Sequence, residues 1–311
     1  MGRVRDIIEN ERGLISDTVA TDKEVQATSG YRNHIIDGSF SLCQKSDTPI
    51  DGTGYSCVDM WWQDDCKIER AYDENGLTYA KCTCTDAEDP KFIRNKIENV
   101  KLFNHKTVTI SFEIDSPDGL TEGLVKFASH DADDNFIELN ITPFVYNDVR
   151  TRYTFTLNIN QVSLAPDFPL YVYIYGDTTS NNNDSKVFNV YNVQLEFGDV
   201  ATPFEIEPAG ITLSRAQRYY EIVSFIDSQD GMGDGGHIMR TIMYKNTKRT
   251  TPTLAKLAED SYQTDTSLTF NTHPNVDALL DLRTGFSTEI SPSSDNAYVE
   301  FTAIIEADAR F

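Results

Sequence analysis

From Thr107 to Ile114 polar and apolar residues alternate without a break: Val108, Ile110, Phe112 and Ile114 follow Thr107, Thr109, Ser111 and Glu113 in turn. Successive side chains of a strand point to opposite faces, so a period of two demands a half-buried β-strand and excludes an amphipathic helix. Tyr153, Phe155, Leu157 and Ile159 repeat the pattern against Thr154, Thr156 and Asn158. Leu170-Tyr-Val-Tyr-Ile-Tyr175 alternates aliphatic residues with tyrosine, so both of its faces are apolar, which suits the centre of a sheet. Asp73-Glu-Asn-Gly76, Asp115-Ser-Pro-Asp-Gly119 and the stretch from Thr178 to Asp184 carry the turn chemistry that separates strands. Many short strands with such turns and little helical pattern predict an all-β sandwich, and the length suits a jelly roll.

The ends of the chain read differently. Val4, Ile7, Ile8, Leu14, Ile15 and Val19 recur at three- and four-residue spacings, which predicts a helix over 3–20, and the polar stretch Thr21 to Ser29 reads as a linker. The inward face of the strand that ends the sandwich switches between Phe188/Val190 and Val193/Leu195, so a β-bulge is expected near Tyr191-Asn192. Pro203 and Pro208 then close the domain, and Ile211 to Tyr220 reads as a short linker helix with Thr212 or Ser214 near its start. Ile222 to Ile226, His237 to Tyr244, Thr266 to Phe270 and Tyr298 to Ile305 read as strands of a smaller sandwich, with Val299, Phe301, Ala303 and Ile305 as a buried row. The expected domains are an N-terminal helix and linker (1–30), a jelly-roll sandwich (31–208), a linker helix (209–221) and a smaller C-terminal sandwich (222–311).

The balance of 27 Lys and Arg against 49 Asp and Glu gives a formal charge of -22, which argues against nucleic acid and anionic lipid as partners. No apolar run approaches the roughly 18 residues of a membrane-spanning helix. The charged opening Met1 to Glu9 does not read as a signal peptide. The five cysteines all fall between Cys43 and Cys84. Free thiols are the expectation, with disulfides or a zinc site on Cys57, Cys66, Cys82 and Cys84 as alternatives. Zinc is disfavoured because Cys82-Thr-Cys84 puts both thiols on one side of a strand instead of in a loop.

Val193-Gln-Leu-Glu-Phe-Gly-Asp-Val-Ala-Thr-Pro-Phe-Glu205, followed by Gln217-Arg-Tyr-Tyr-Glu221, resembles the joint of bacteriophage tail-fibre proteins between a carbohydrate-binding-like sandwich and a distal virion domain. Asn33-His-Ile-Ile-Asp-Gly-Ser-Phe40 is similar to the opening of those sandwiches, with Cys43-Gln44 where that family often has Trp-Gln. Arg249-Thr-Thr-Pro-Thr253 and the segment from Tyr298 to Arg310 resemble strands of the distal domain, with Lys248 where Met is usual. The resemblance covers the chain from about residue 33 onward. It implies a homotrimeric virion fibre subunit, assembled in host cytoplasm, joined to other virion proteins through its N-terminal helix and binding a host-surface glycan or protein. A capsid fibre or structural tail protein, and a carbohydrate-binding module of a bacterial polysaccharide system, are the alternatives.

Three groups of residues are candidates for a site. Trp61, Trp62, Tyr171, Tyr173 and Tyr175 offer flat apolar rings on which sugars can stack, although core packing explains them as well. The resemblance implies a structural calcium where the first and last strands meet, which points to Asn33, Asp37 and Asn192. Distal loops, with Asp230, Met232, Asp234, His237, Tyr262 and Phe286, are candidates for receptor contact. Gly231-Met-Gly-Asp-Gly-Gly236 lacks the Lys-Ser/Thr of a phosphate loop and reads as a hairpin tip, and Asp131 to Asn135 lacks the Gly of an EF-hand loop. His34, His105, His130, His237 and His273 are scattered without a catalytic motif, so a binding protein is expected, not an enzyme.

Overall fold

A computed structural model describes residues 32–310 apart from 45–48, 50–52, 56, 86–90, 99, 120, 132, 161–167, 179–185, 231–237, 263–265, 270–284 and 293–297. In much of the distal region it describes backbone alone. The expected helix over 3–20 lies outside the described residues.

Eleven strands build the first sandwich: β1 Gly54–Tyr55, β2 Trp61–Asp64, β3 Cys66–Tyr72, β4 Thr78–Cys84, β5 Lys91–Ile97, β6 Lys106–Asp115, β7 Thr121–His130, β8 Phe136–Tyr146, β9 Thr151–Ile159, β10 Leu170–Asp177 and β11 Val187–Phe197. They form a six-stranded sheet in the order β1-β2-β5-β10-β7-β8 and a five-stranded sheet in the order β3-β4-β11-β6-β9, with antiparallel pairing throughout. The helix α1 Ala209–Ala216 follows, and then β12 Tyr220–Asp230, β13 Ile238–Met243, β14 Thr253–Tyr262, β15 Thr266–Thr269, β16 Gly285–Pro292 and β17 Tyr298–Asp308. These give two three-stranded sheets, β12-β17-β14 and β13-β16-β15. The molecule is all-β.

The alternation predicts the core. Val108, Ile110, Phe112 and Ile114 on β6 face Ile93, Val125, Phe127, Val172 and Ile174 of the other sheet in one buried cluster. The bulge falls where the pattern requires it, with register shifting between Tyr191 and Gln194 and Asn192 at φ 52. Phe188, Val190, Val193, Leu195 and Phe197 therefore all reach the core. All five cysteines are free thiols; Cys57, Cys66, Cys82 and Cys84 are buried in that core, where desolvation raises Cys82 well above its usual range and Cys84 to about 12.

The opening motif ties the two ends of the sandwich together. Asn33 Oδ1 accepts from the amides of Ile35 and Leu195, both at 3.0 Å, and its Nδ2 donates to the Val193 carbonyl at 3.0 Å. The Val193 amide donates to the Gly38 carbonyl at 2.9 Å, and a Cβ at Gly38 would lie 1.9 Å from the Val193 oxygen, so only glycine fits. The Gln-Leu-Glu stretch is equally structural: Glu196 accepts from Thr202 through both carboxylate oxygens, at 2.6 and 2.7 Å. Gln194 Oε1 accepts from the Glu205 amide at 2.8 Å. Gly198, at φ 102, turns the chain back so that these groups meet.

The helix starts earlier and ends sooner than the sequence suggests. Pro208 supplies the first accepting carbonyl, and neither Thr212 nor Ser214 caps the N-terminus. Tyr219 and Tyr220 are taken into the distal sheet instead, where the Ala309 amide donates to the Tyr219 carbonyl at 2.6 Å. The expected strand over Ile222 to Ile226 runs on to Asp230, and β14 and β16 add two strands that periodicity did not mark. Ile305 and Ala307 of β17 are buried; the side chains of Val299, Phe301 and Ala303 lie outside the described residues.

Candidate functional site

The outer face of the six-stranded sheet combines aromatic rings with positive charge. On β10 the residues Tyr171, Tyr173 and Tyr175 point away from the core and stack along the strand, with ring centroids 6.2 and 6.1 Å apart. Strand register fixes their neighbours: on the β5 side Lys96, Arg94 and Phe92, and on the β7 side Ala128, Lys126 and Leu124. Trp62 of β2 sits beside Arg94, and Tyr55 of β1 meets the Trp62 ring edge-on at 5.2 Å.

The cations are held over the rings. Arg94 Cζ lies 5.0 Å from the Trp62 ring centroid, 5.2 Å from that of Tyr171 and 5.5 Å from that of Tyr173. Lys126 Nζ is 4.6 Å from the Tyr173 centroid and 5.4 Å from that of Tyr175. Lys96 Nζ is 5.7 Å from the Tyr171 centroid and 6.0 Å from that of Trp62. Arg94 also donates to the Tyr173 hydroxyl at 3.3 Å. Each cation–ring contact contributes about 0.5–1 kcal/mol at an exposed site and more when desolvated. Glu138 approaches Lys126 at 3.4 Å from β8. Burial, reinforced by the positive charges of Arg94 and of Arg249 and Arg310 from the distal domain, lowers Lys96 to about 7.

This arrangement sorts the expected stacking residues. Trp61 is 0% exposed, packs on Phe40 in the core and donates its indole N–H to the Asp37 carbonyl at 3.0 Å, so it is not available to a sugar. Trp62, one residue on, is half-buried on the outer face. Tyr171, Tyr173 and Tyr175 are 8%, 4% and 9% exposed, because Arg94, Lys96 and Lys126 lie across them. They form the bed beneath the cations, not an open platform. At the β8 edge Phe136 is exposed, with Lys126 5.4 Å from its ring centroid. Sequence reasoning missed the three cations. Phe92, Arg94 and Lys96 stand at alternate positions, which marks them as one face of a strand, but nothing local shows that tyrosines from β10 lie against them.

The residues expected to hold calcium make other bonds. Both Asp37 oxygens are occupied by the turn that follows, one accepting from the Ser41 amide at 2.7 Å and hydroxyl at 2.9 Å, the other from the Leu42 amide at 3.0 Å. Burial pushes this carboxyl up to about 7, against those same hydrogen bonds. Asn33 bonds to Val193 and Leu195 of β11 and to the Ile35 amide, and Asn192 turns to Glu113, donating at 3.1 Å. No group of three or more His, Cys, Asp or Glu suited to a metal occurs among the described residues. Of the distal candidates, Asp230, Tyr262 and Phe286 lie on β12, β14 and β16, with only their backbone described, and Met232, Asp234 and His237 lie outside the described residues.

A second concavity lies against the linker. An open groove of about 210 Å³ is lined by His34, Ile97, Glu98, Leu102, Arg218 and Tyr219, among others. Its polar groups are engaged: Arg218 pairs with Glu98 at 3.4 Å, and burial together with the nearby Arg215 lowers His34 to about 4. It belongs to the joint between the domains.

No family model matches the chain, and no curated protein matches it. Solved structures similar to part of it include an arabinose-bound α-L-arabinofuranosidase, at 13% identity, over 54% of this chain and 26% of that one, with a TM-score of 0.37. A family 4 carbohydrate-binding module matches at 16% identity over 53% of this chain and 99% of its own, with a TM-score of 0.37. A xylan-binding domain from Paenibacillus barcinonensis matches at 15% identity over 45% of this chain and 92% of its own, with a TM-score of 0.34. Likenesses at this level decide nothing about ligand or activity.

Proposed function

We propose that the chain is a binding protein, not an enzyme, that recognises a surface polysaccharide with the outer face of its six-stranded sheet, as a subunit of a virion fibre. The observation that carries this reading is the row Trp62, Arg94, Tyr173 and Lys126 across four neighbouring strands, where a half-buried indole adjoins cations held on tyrosine rings. A pyranose ring stacks on an aromatic surface through its C–H face, while fixed donors beside it take its hydroxyls. Cations already seated on rings lose little side-chain freedom on binding, so less affinity is spent on ordering them. The fibre address rests on the resemblance of the Gln194 to Glu205 and Arg218 to Glu221 stretches, which fold into the joint of two β-domains. A homotrimer attached through the N-terminal residues and displayed on a phage particle completes that reading. A carbohydrate-binding module working outside a virion is the rival, favoured by the fact that the whole row lies within the first sandwich.

The test is a polysaccharide array probed with the full-length chain and with Trp62→Ala. The variant is expected to lose roughly tenfold in affinity, the worth of one aromatic platform, with a melting temperature lowered by only a few degrees for the contacts to Arg94 and Lys96. Binding that survives Trp62→Ala intact moves the site elsewhere, with the distal loops next in line. Antibody labelling of particles decides the address: label on a tail supports the fibre, and label on no particle supports the free module.

A further inference from the structure

Resting on the glycan reading of the same face, we propose that the ligand is an acidic polysaccharide carrying a carboxylate on alternate sugars, laid across the strands so that Arg94 and Lys126 each meet one carboxylate. The chain as a whole carries a charge of -22, yet this face gathers Arg94, Lys96 and Lys126 around the tyrosine rings, with Asp64, Glu122 and Glu138 at other positions of the same face. Cations gathered over the rings at the centre of a face attract anions to that spot, which a neutral glycan does not exploit.

The spacing argues for alternation. Arg94 on β5 and Lys126 on β7 flank the single strand β10, reaching the same Tyr173 ring from either side, 5.5 and 4.6 Å from its centroid. Strands two apart are separated by about 9–10 Å, which is close to the length of two pyranose rings in an extended chain. A sugar lying over β10, between the two cations, needs no charge of its own.

The groups themselves suit a carboxylate. Arg94, half-buried on this face, carries a planar guanidinium whose fork geometry matches carboxylates. Lys126 bonds to Tyr175 and pairs with Glu138 at 3.4 Å, and the Glu138 side chain is 49% exposed, so a ligand carboxylate can take the place of Glu138 at little cost.

The experiment measures binding of the full-length chain to hyaluronan, heparosan and unsulfated chondroitin, all acidic on alternate sugars. The same three polymers after carboxyl reduction, and polygalacturonate, which is charged on every sugar, serve as comparisons. The proposal expects at least one of the alternating polymers to bind, with affinity falling roughly tenfold or more on carboxyl reduction and by a similar factor in Arg94→Ala and Lys126→Ala. Affinity should also fall with added salt. Equal binding to the carboxyl-reduced polymers overturns the charge assignment and leaves the glycan reading standing. Equal binding to polygalacturonate overturns the alternation. Binding to none of these polymers, while a neutral polysaccharide on the array is bound through Trp62, overturns the proposal alone; binding to no polysaccharide at all overturns the glycan reading with it.

Discussion

At the scale of single residues the least ordinary feature is Lys248, which is 2% exposed and pairs with Glu221 at 2.8 Å, both side chains being fully buried. Its ammonium also donates to the Gln217 carbonyl and lies 4.7 Å from the Tyr244 ring centroid. Desolvation lowers its pKa and the Glu221 charge opposes that shift. Removing one partner of such a pair leaves a buried charge, which costs about 3–5 kcal/mol, whereas replacing both by apolar groups is often neutral or better. Lys248→Met alone is therefore expected to destabilise by that amount in urea unfolding, and Lys248→Met with Glu221→Leu to recover most of it. A single variant as stable as the parent would show that the pair contributes nothing. The sequence did flag Lys248, as a departure from a tail-fibre-like pattern, but its partner stands 27 positions away and is brought opposite only by the distal fold. The same limit hid the cations of the candidate site: Arg94 is placed by Trp62 from one strand and Tyr173 from another.

At the scale of elements, legibility followed the purity of the alternation. β6, β9 and β10 were read directly, because each side of those strands has one chemical character over its whole length. β5 was not, since its inward row includes Asn95, whose amide donates to the Met60 carbonyl at 3.2 Å, and its outward row mixes Phe92 with two cations. Distal strands β14 and β16 were missed for a similar reason, with polar residues such as Lys256, Glu259, Asp260 and Glu289 breaking any apolar row. The bulge in β11 was legible because two buried rows of one strand were out of phase. It depends on Asn192 at φ 52, a conformation that costs most L-residues about 1–2 kcal/mol and that asparagine tolerates. Asn192→Val is expected to lower stability by that amount or more, and Asn192→Gly to stay within about 1 kcal/mol of the parent, the Glu113 hydrogen bond being its only loss. If valine is tolerated as well as glycine in thermal melts, the bulge does not set the inward register of β11.

At the scale of the whole molecule the question is whether the two sandwiches melt as one. Several contacts cross their joint, and their magnitudes differ. Arg218 and Arg249 both reach Glu98 at 3.4 Å, but such partly exposed pairs contribute about 0–1 kcal/mol each. Arg310 does more. It lies 4.0 Å from the ring centroids of Tyr55 in the first sandwich and Tyr220 in the second, and it donates to the Asp59 carbonyl at 3.0 Å. Asp308 holds the guanidinium in place at 2.8 Å. The contacts that cross the joint, one partly desolvated cation–π contact with Tyr55 and one charge-assisted hydrogen bond to Asp59, amount to about 2–5 kcal/mol of coupling. Further hydrogen bonds cross here, among them Gln44 Nε2 to the Tyr220 carbonyl at 3.0 Å and Arg215 to the Asn33 carbonyl at 3.3 Å. Arg310→Ala is accordingly expected to split a shared calorimetric transition into two, the distal sandwich melting first, and to expose the 205–220 segment to protease at temperatures where the parent resists. Arg310→Lys keeps the charge but not the planar fork and should fall between. A single unsplit transition in Arg310→Ala would mean that burial of Tyr219 and Tyr220, not the arginine, holds the domains together.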